Sequence, residues 1–286
     1  MVKIIIGIVI IMASVIGGYL MEHGKLAALW QPIELLILVG CAMGAMVISN
    51  SAMTLKKIGK GFKGIFLGKT FGKTEYLDLL GLLHDVFNKW RREGLMSLEA
   101  DIEEPGNSEI FKKYPTISKD HYLVDFICDY LRIISSGNLS ALELESLMDV
   151  ELDTIKHEKE AAGEAVGKVA DGFPGFGIVA AVMGIVITMS HIGGPPAELG
   201  EHVGAALVGT FLGILLAYGF FAPFSTNMSQ MGAEEFKVYE VTKTAILAMV
   251  NGMPPQLAVE FGRKVLFNAI RPTFQEMDAH IRGNKG

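Results

Sequence analysis

Charge is what this 286-residue chain has little of: Asp, Glu, Lys and Arg make up only 20% of it, against about a quarter in an average soluble domain. They are missing altogether from residues 4–21, 35–55, 172–197 and 202–233. Each charge-free run is near or above the roughly 18 residues that mark a membrane-spanning helix, which excludes an ordinary soluble enzyme and a disordered chain. Positive charge is the scarcer sign, with a formal net charge of −6, and a nucleic-acid binder needs the opposite imbalance. Cysteine is nearly absent. Cys41 lies in an apolar run and Cys128 in a distant charged region, so neither a disulfide nor a metal-ligand spacing is available. The seven histidines form no H-x-x-x-H pattern, and no metal site or cofactor is expected. No small-x-small cleavage site follows the first apolar run, which is therefore expected to stay as a helix. The reading is an all-α protein with four transmembrane helices and a large helical cytoplasmic domain.

Lysines set the orientation. Lys56, Lys57, Lys60, Lys63 and Lys69 follow the second run, Lys168 precedes the third, and Lys237 and Lys243 follow the fourth. The two other connections carry only Lys25 between them. The positive-inside rule then places both termini and the long middle segment in the cytoplasm. The expected division is 1–55 (first two spans and a short outer hairpin), 56–170 (cytoplasmic helical domain), 171–224 (last two spans) and 225–286 (C-terminal cytoplasmic helices). Tyr76, Leu79, Leu80, Leu83, Val86, Phe87 and Trp90 recur at threes and fours, as do Leu123, Phe126, Ile127, Tyr130 and Ile133, which predicts two amphipathic helices. Ser140 and Glu143 form a capping box that opens a helix running on into span three. A helix from about Ala233 ends at Asn251-Gly252, and another is predicted over 256–270, stopped by Arg271-Pro272.

Spans three and four carry no ionisable side chain, although an ion path through lipid normally needs one at depth. If this chain builds such a path, the carboxylate comes from another subunit. Glu34, behind Pro32, reads as an interfacial residue at a helix start. What the two spans do offer is small residues: Pro174, Gly177, Ala181, Gly184 and Thr188 on one, and Ala206, Thr210, Gly213 and Ala217 on the other. Two uses stay open for these smooth faces, packing on each other or surrounding a helix of another chain. Gly40 and Gly44 of span two read as intramolecular packing. Thr210 is the hydroxyl in the middle of span four, best placed to meet a hydrated ion. Pro174 and Pro223, near the cytoplasmic ends of their spans, each remove a helical N–H and together make a candidate hinge.

These residues resemble a known family. Gly17-Gly18-Tyr19-Leu20, Gln31-Pro32 with Glu34-Leu35, Asp78-Leu79-Leu80, Ser97-Leu98-Glu99 with Asp101-Ile102-Glu103, the run 173–184 opening Phe173-Pro174-Gly175-Phe176-Gly177, the run 208–220 opening Val208-Gly209-Thr210-Phe211-Leu212-Gly213, and Val259-Glu260-Phe261-Gly262-Arg263-Lys264 are similar to the MotA family of flagellar motor stator subunits over essentially the whole chain. Trp90 and Arg92 beside Arg91, and Gly175 after Pro174, are local departures. The resemblance implies no enzyme activity but a multi-pass inner-membrane channel component. It implies a homo-pentamer around a MotB dimer, with a MotB Asp carrying the ion and the rotor protein FliG receiving the torque. It further implies that Arg91 and Glu99, and with less weight Glu151, face the rotor. Pro174 and Pro223 match the family's functional prolines, and Thr210 its conduit threonine. Sodium-using relatives carry a hydroxyl where this chain has Ala181; bare sodium needs several oxygen ligands, so the coupling ion is expected to be the proton. Arg91 and Glu99 would share a face of an unbroken helix, which Gly94 between them opposes. The rival readings are a sodium-driven stator of the same family and a self-contained solute carrier, which would want broken helices and a polar midplane site.

Overall fold

In the computed structural model, residues 2–67, 71–190, 193 and 195–283 are described, without the side chains of 197 and 198. Lys69 of the lysine cluster and His191 of the second outer hairpin lie outside the described residues. Along the chain the helices are α1 (Val2–Met21), α2 (Leu26–Leu29), α3 (Pro32–Ser49), α4 (Ala52–Leu67) and α5 (Lys73–Glu93). A 3-10 turn at Leu95–Leu98 leads to α6 (Glu99–Glu103), α7 (Glu109–Lys112), α8 (Pro115–Ser118) and α9 (His121–Ser135). Then come α10 (Ala141–Ser190), α11 (Pro196–Ile214), a π-helical segment at Leu215–Phe221, α12 (Ala222–Val250), α13 (Pro255–Val265) and α14 (Phe274–Gly283). Among the described residues there is no strand. Among the described residues four stretches are long and apolar enough to cross a membrane: Val2–Met21, Leu26–Ser49, Ala141–Ser190 and Leu199–Val250.

The chain divides into two compact units. The first comprises Met1–Lys69 with Glu160–Gly232 and holds the apolar helices. Its buried set includes Leu38, Ala42 and Met46 of α3, Ile58 and Ile65 of α4, Val166 and Phe173 of α10, and Met228 of α12. Most large apolar side chains of the spans are exposed, among them Ile178, Val186 and Leu207. A protein in water hides such a surface; one in lipid has no reason to.

The second unit comprises Thr70–Lys159 with Ala233–Gly286 and is built as a water-exposed domain is. In α5, Tyr76, Leu79, Leu80, Leu83, Val86 and Phe87 are buried, so the period of threes and fours becomes one apolar face. Its start is fixed by Glu75, whose carboxylate accepts the Gly72 N–H at 2.9 Å. Gly94 ends it at φ +85°, a conformation glycine adopts without a Cβ clash. α9 buries Leu123, Phe126, Ile127, Tyr130 and Leu131 behind an Asp120 cap. The Ser140–Glu143 capping box is reciprocal, with bonds of 2.8 and 3.3 Å, and α10 does run on through Pro174 without interruption.

Two sequence expectations are corrected. The helix expected from about Ala233 is continuous from Ala222. The helix expected over 256–270 stops at Val265, because Arg271 turns back and donates to the Lys264 and Leu266 carbonyls at 3.1 and 2.6 Å. That guanidinium replaces the lost helical donors, while Leu266 takes an extended backbone and is buried.

Candidate functional site

The small residues of spans three and four are used on each other. A methyl group at Gly177 would stand 3.0 Å from the Gly209 carbonyl oxygen and 3.1 Å from Thr210 Cα. One at Gly213 would stand 2.7 Å from the Phe173 carbonyl oxygen, and one at Gly184 3.0 Å from Ala206 Cβ. The backbones of α10 and α11 therefore meet directly, as small faces permit in lipid. The two readings left open for these faces resolve, for the glycines, to packing within the chain. Gly40 and Gly44 correct the expectation in the other direction, since nothing lies within 4 Å of an added Cβ at either.

This contact positions two of the candidate residues. Thr210 lies against Gly177, and the Ala181 backbone nitrogen is 3.7 Å from where a Cβ at Gly209 would be. Helical threonines commonly satisfy their hydroxyl on the carbonyl four residues back, and here Thr188, Thr226 and Thr242 do so at 2.8, 3.1 and 2.8 Å. The half-exposed Thr210 differs: among the described residues its hydroxyl has no protein hydrogen bond. Ala181 contributes no oxygen. No group of three or more potential metal ligands occurs among the described residues.

The prolines come to one level through their neighbours. Phe173, next to Pro174, and Phe221, two before Pro223, stack with centroids 4.6 Å apart and rings inclined at 46°. Phe62 of α4 meets Phe221 and Phe224 edge-on at 6.5 and 5.9 Å. Ahead of Pro223 the helix widens into the π segment, in which Ala222 N–H donates to the Ala217 carbonyl five residues back. A π segment inside a long helix marks a place where the hydrogen-bond register is shifted. No periodicity of the sequence announced it.

Glu34 sits in the first turn of α3 behind Pro32, as a helix-start residue should. It is also more than interfacial. One carboxylate oxygen, Oε2, is buried without a hydrogen-bond partner, and its Cγ lies against Gly209 of α11. The signal available in the sequence was its place directly before the charge-free run 35–55; what α11 brings against it was not legible.

In the second unit, Arg91 occupies the last turn of α5 and Glu99 opens α6. Gly94 and the 3-10 turn separate them, so they do not share one helix face. Both are exposed, and Arg91 Nη1 donates to the Gly252 carbonyl at 3.3 Å. The corner between them is pinned by Asp101, which is buried and accepts from Lys89 Nζ at 2.7 Å and from Ser108 Oγ at 2.5 Å. Sequence reading missed Lys89, Asp101 and Ser108 as positioning groups. Glu151 of α10 stands elsewhere: it accepts the Tyr130 phenol at 2.6 Å, and burial, with that carboxylate, pushes the Tyr130 pKa up. Among the described residues no hydrogen bond or ion pair joins Arg91, Glu99 and Glu151.

Comparison with known proteins shows the family. Residues 5–94 match the family model of the motility protein A N-terminal region, and residues 121–241 that of the MotA/TolQ/ExbB proton channel family. Motility protein A of Salmonella typhimurium is 45% identical over 98% of this chain and 95% of its own length. Chemotaxis protein LafT of Vibrio parahaemolyticus is 38% identical over 98% of this chain and 99% of its own. The solved C. jejuni MotAB structure shares the fold with a TM-score of 0.73 at 21% identity, covering 92% of this chain and 95% of that one. With apolar helices packed through glycine, a free threonine hydroxyl between them and relatives alike from end to end, this chain belongs to the motility protein A family of flagellar motor stator subunits.

Proposed function

We infer that this chain forms the wall of a proton path in a flagellar stator, and that it acts as a pentamer around two MotB chains in the inner membrane with both termini cytoplasmic. The observation that supports this most is the Thr210 hydroxyl. It sits in the middle of span four, it lacks the usual back-bond, and it stands on a span pair with no Asp, Glu, Lys or Arg over 172–197 and 202–233. A proton needs an acceptor and a chain of waters, and Thr210 suits a water contact while a MotB Asp supplies the titrating group. Ala181, with no oxygen, favours protons over sodium. A change of charge on the Asp would alter packing at the level of Pro174 and Pro223, where the shifted hydrogen-bond register ahead of Pro223 leaves the helix able to rearrange.

Torque then passes through the α5–α6 corner, with Arg91 and Glu99 meeting oppositely charged groups of FliG. Glu151 serves as a lesser acidic contact. Exposed ion pairs are worth about 0–1 kcal/mol each, which suits repeated engagement and release. The test is the double charge reversal Arg91→Glu with Glu99→Lys. Swimming speed is expected to fall severely while proton flux through the assembled complex persists; undiminished swimming would remove the rotor role of this corner. External sodium removal should leave swimming unchanged, and a proton uncoupler should stop it.

A further inference from the structure

The outer stripe of α4 is left without a partner by everything described so far. The chain leaves α3 at Ser49 and re-enters a helix at Ala52. Asn50 closes the first by donating to the Met46 carbonyl at 2.8 Å, and Ser51 opens the second by accepting the Thr54 N–H at 3.2 Å. One side of α4 is committed to the protein, with Ile58 and Ile65 buried and Leu55 and Phe62 packed against the same core. The opposite side carries Met53, Lys56, Lys60, Lys63 and Leu67 at helical spacing, and all five are exposed.

Among the described residues no carboxylate neutralises these lysines. No Asp or Glu occurs over residues 35–74, and among the described residues Lys56, Lys60 and Lys63 make no ion pair. Like charges three and four apart repel on a helix, so an external anion is needed. Two features choose its kind. The helix starts within three residues of a span, at the depth where phospholipid phosphates lie. The stripe also ends in exposed apolar side chains, Met53 and Leu67, 66% and 75% accessible, which can enter the acyl boundary while the lysine stems run along it. A nucleic acid or an acidic polypeptide offers no use for those two.

We propose that the Lys56–Lys60–Lys63 stripe of α4 binds anionic phospholipid headgroups and seats this helix on the bilayer surface. The inference needs only that α3 crosses the membrane and stands apart from the channel reading. Because Phe62 on the inner side of α4 touches Phe221 and Phe224, a lipid-held α4 also steadies the level at which Pro223 lies.

The test uses the full chain in nanodiscs and reads thermal unfolding and retained lipid by native mass spectrometry. Replacing phosphatidylcholine by phosphatidylglycerol is expected to raise the unfolding temperature of wild type and to enrich bound anionic lipid. The preference should fall about fivefold for each lysine removed in the series to Lys56→Gln, Lys60→Gln and Lys63→Gln, and the matching Arg variants should keep it. High salt should weaken it in wild type, which gives the same reading if the triple variant does not fold. Three outcomes would overturn the proposal: an undiminished phosphatidylglycerol preference in the triple variant, equal stabilisation by phosphatidylcholine, or the same effect from inorganic phosphate or polyglutamate without lipid.

Discussion

At the scale of single residues, the glycines of span two and those of spans three and four look alike in sequence and differ in what surrounds them. Gly213→Ala would put a methyl against the Phe173 carbonyl and Gly177 Cα, backbone atoms that cannot swing away. We expect a destabilisation of about 1–3 kcal/mol, read as a lower unfolding temperature in detergent, together with loss of motility. Gly44→Ala meets open space and should change stability by no more than about 1 kcal/mol, in the favourable direction. Glu276 offers a pH-dependent counterpart. The Lys73 ammonium foremost, then the Thr273 backbone and hydroxyl donors, holds its carboxyl down at about 2. A depressed carboxylate pKa contributes stability that is complete above the ordinary value of about 4.3 and lost as pH falls toward the folded value. The stability gap between wild type and Glu276→Gln should therefore be full at pH 7 and shrink steadily from pH 4.5 to pH 3. A gap that stayed constant over that range would show that the carboxylate gains nothing from Lys73 and Thr273.

At the scale of elements, the α5–α6 corner depends on one buried carboxylate. Removing it in Asp101→Ala leaves Lys89 and Ser108 without their shared acceptor, and Ser108 in turn orients the Ile110 N–H at 3.1 Å. The expected loss is about 1.5–3 kcal/mol for a charge-assisted bond in a partly buried place, measured by chemical unfolding. Motility should fall even where the protein remains folded, because Glu99 loses its fixed position. Residue identities alone did not reveal this corner, since Asp101 is twelve residues from Lys89 and only the turn at Gly94 brings them together. The long amphipathic helices were legible for the opposite reason: their signals are local. The Tyr76–Trp90 period, the Ser140–Glu143 box and the four charge-free runs each act within a turn or two of where they are written. The end of α13 and the π segment before Pro223 were not legible, since one depends on Arg271 folding back and the other on a register shift that no residue type encodes. At the ion path, Thr210 and the prolines were legible as residue types. The choice between packing within the chain and packing around another depended on distances.

At the scale of the whole molecule, this chain presents a wall and no enclosure. Ile178, Val186, Leu207 and Tyr218 are all more than half accessible, and spans three and four contain no Asp, Glu, Lys or Arg over 172–197 and 202–233. Glu34, whose Cγ lies against Gly209 of α11, sits at the start of α3 with its buried oxygen unpartnered. A relay of protons needs continuous water or titrating groups across about 30 Å of hydrocarbon, and in the middle of span four this surface offers the Thr210 hydroxyl and no carboxylate. Vesicles holding the purified chain alone should therefore keep an imposed pH gradient as long as empty vesicles do. Adding MotB should collapse the gradient, and Thr210→Val in that complex should slow the collapse about fivefold, the equivalent of one hydrogen bond of about 1 kcal/mol, with the complex still assembled on a sizing column. Steady proton flux from the chain alone would mean that Glu34, or a path through it, supplies the titrating group, and the role assigned to a second subunit would then fall.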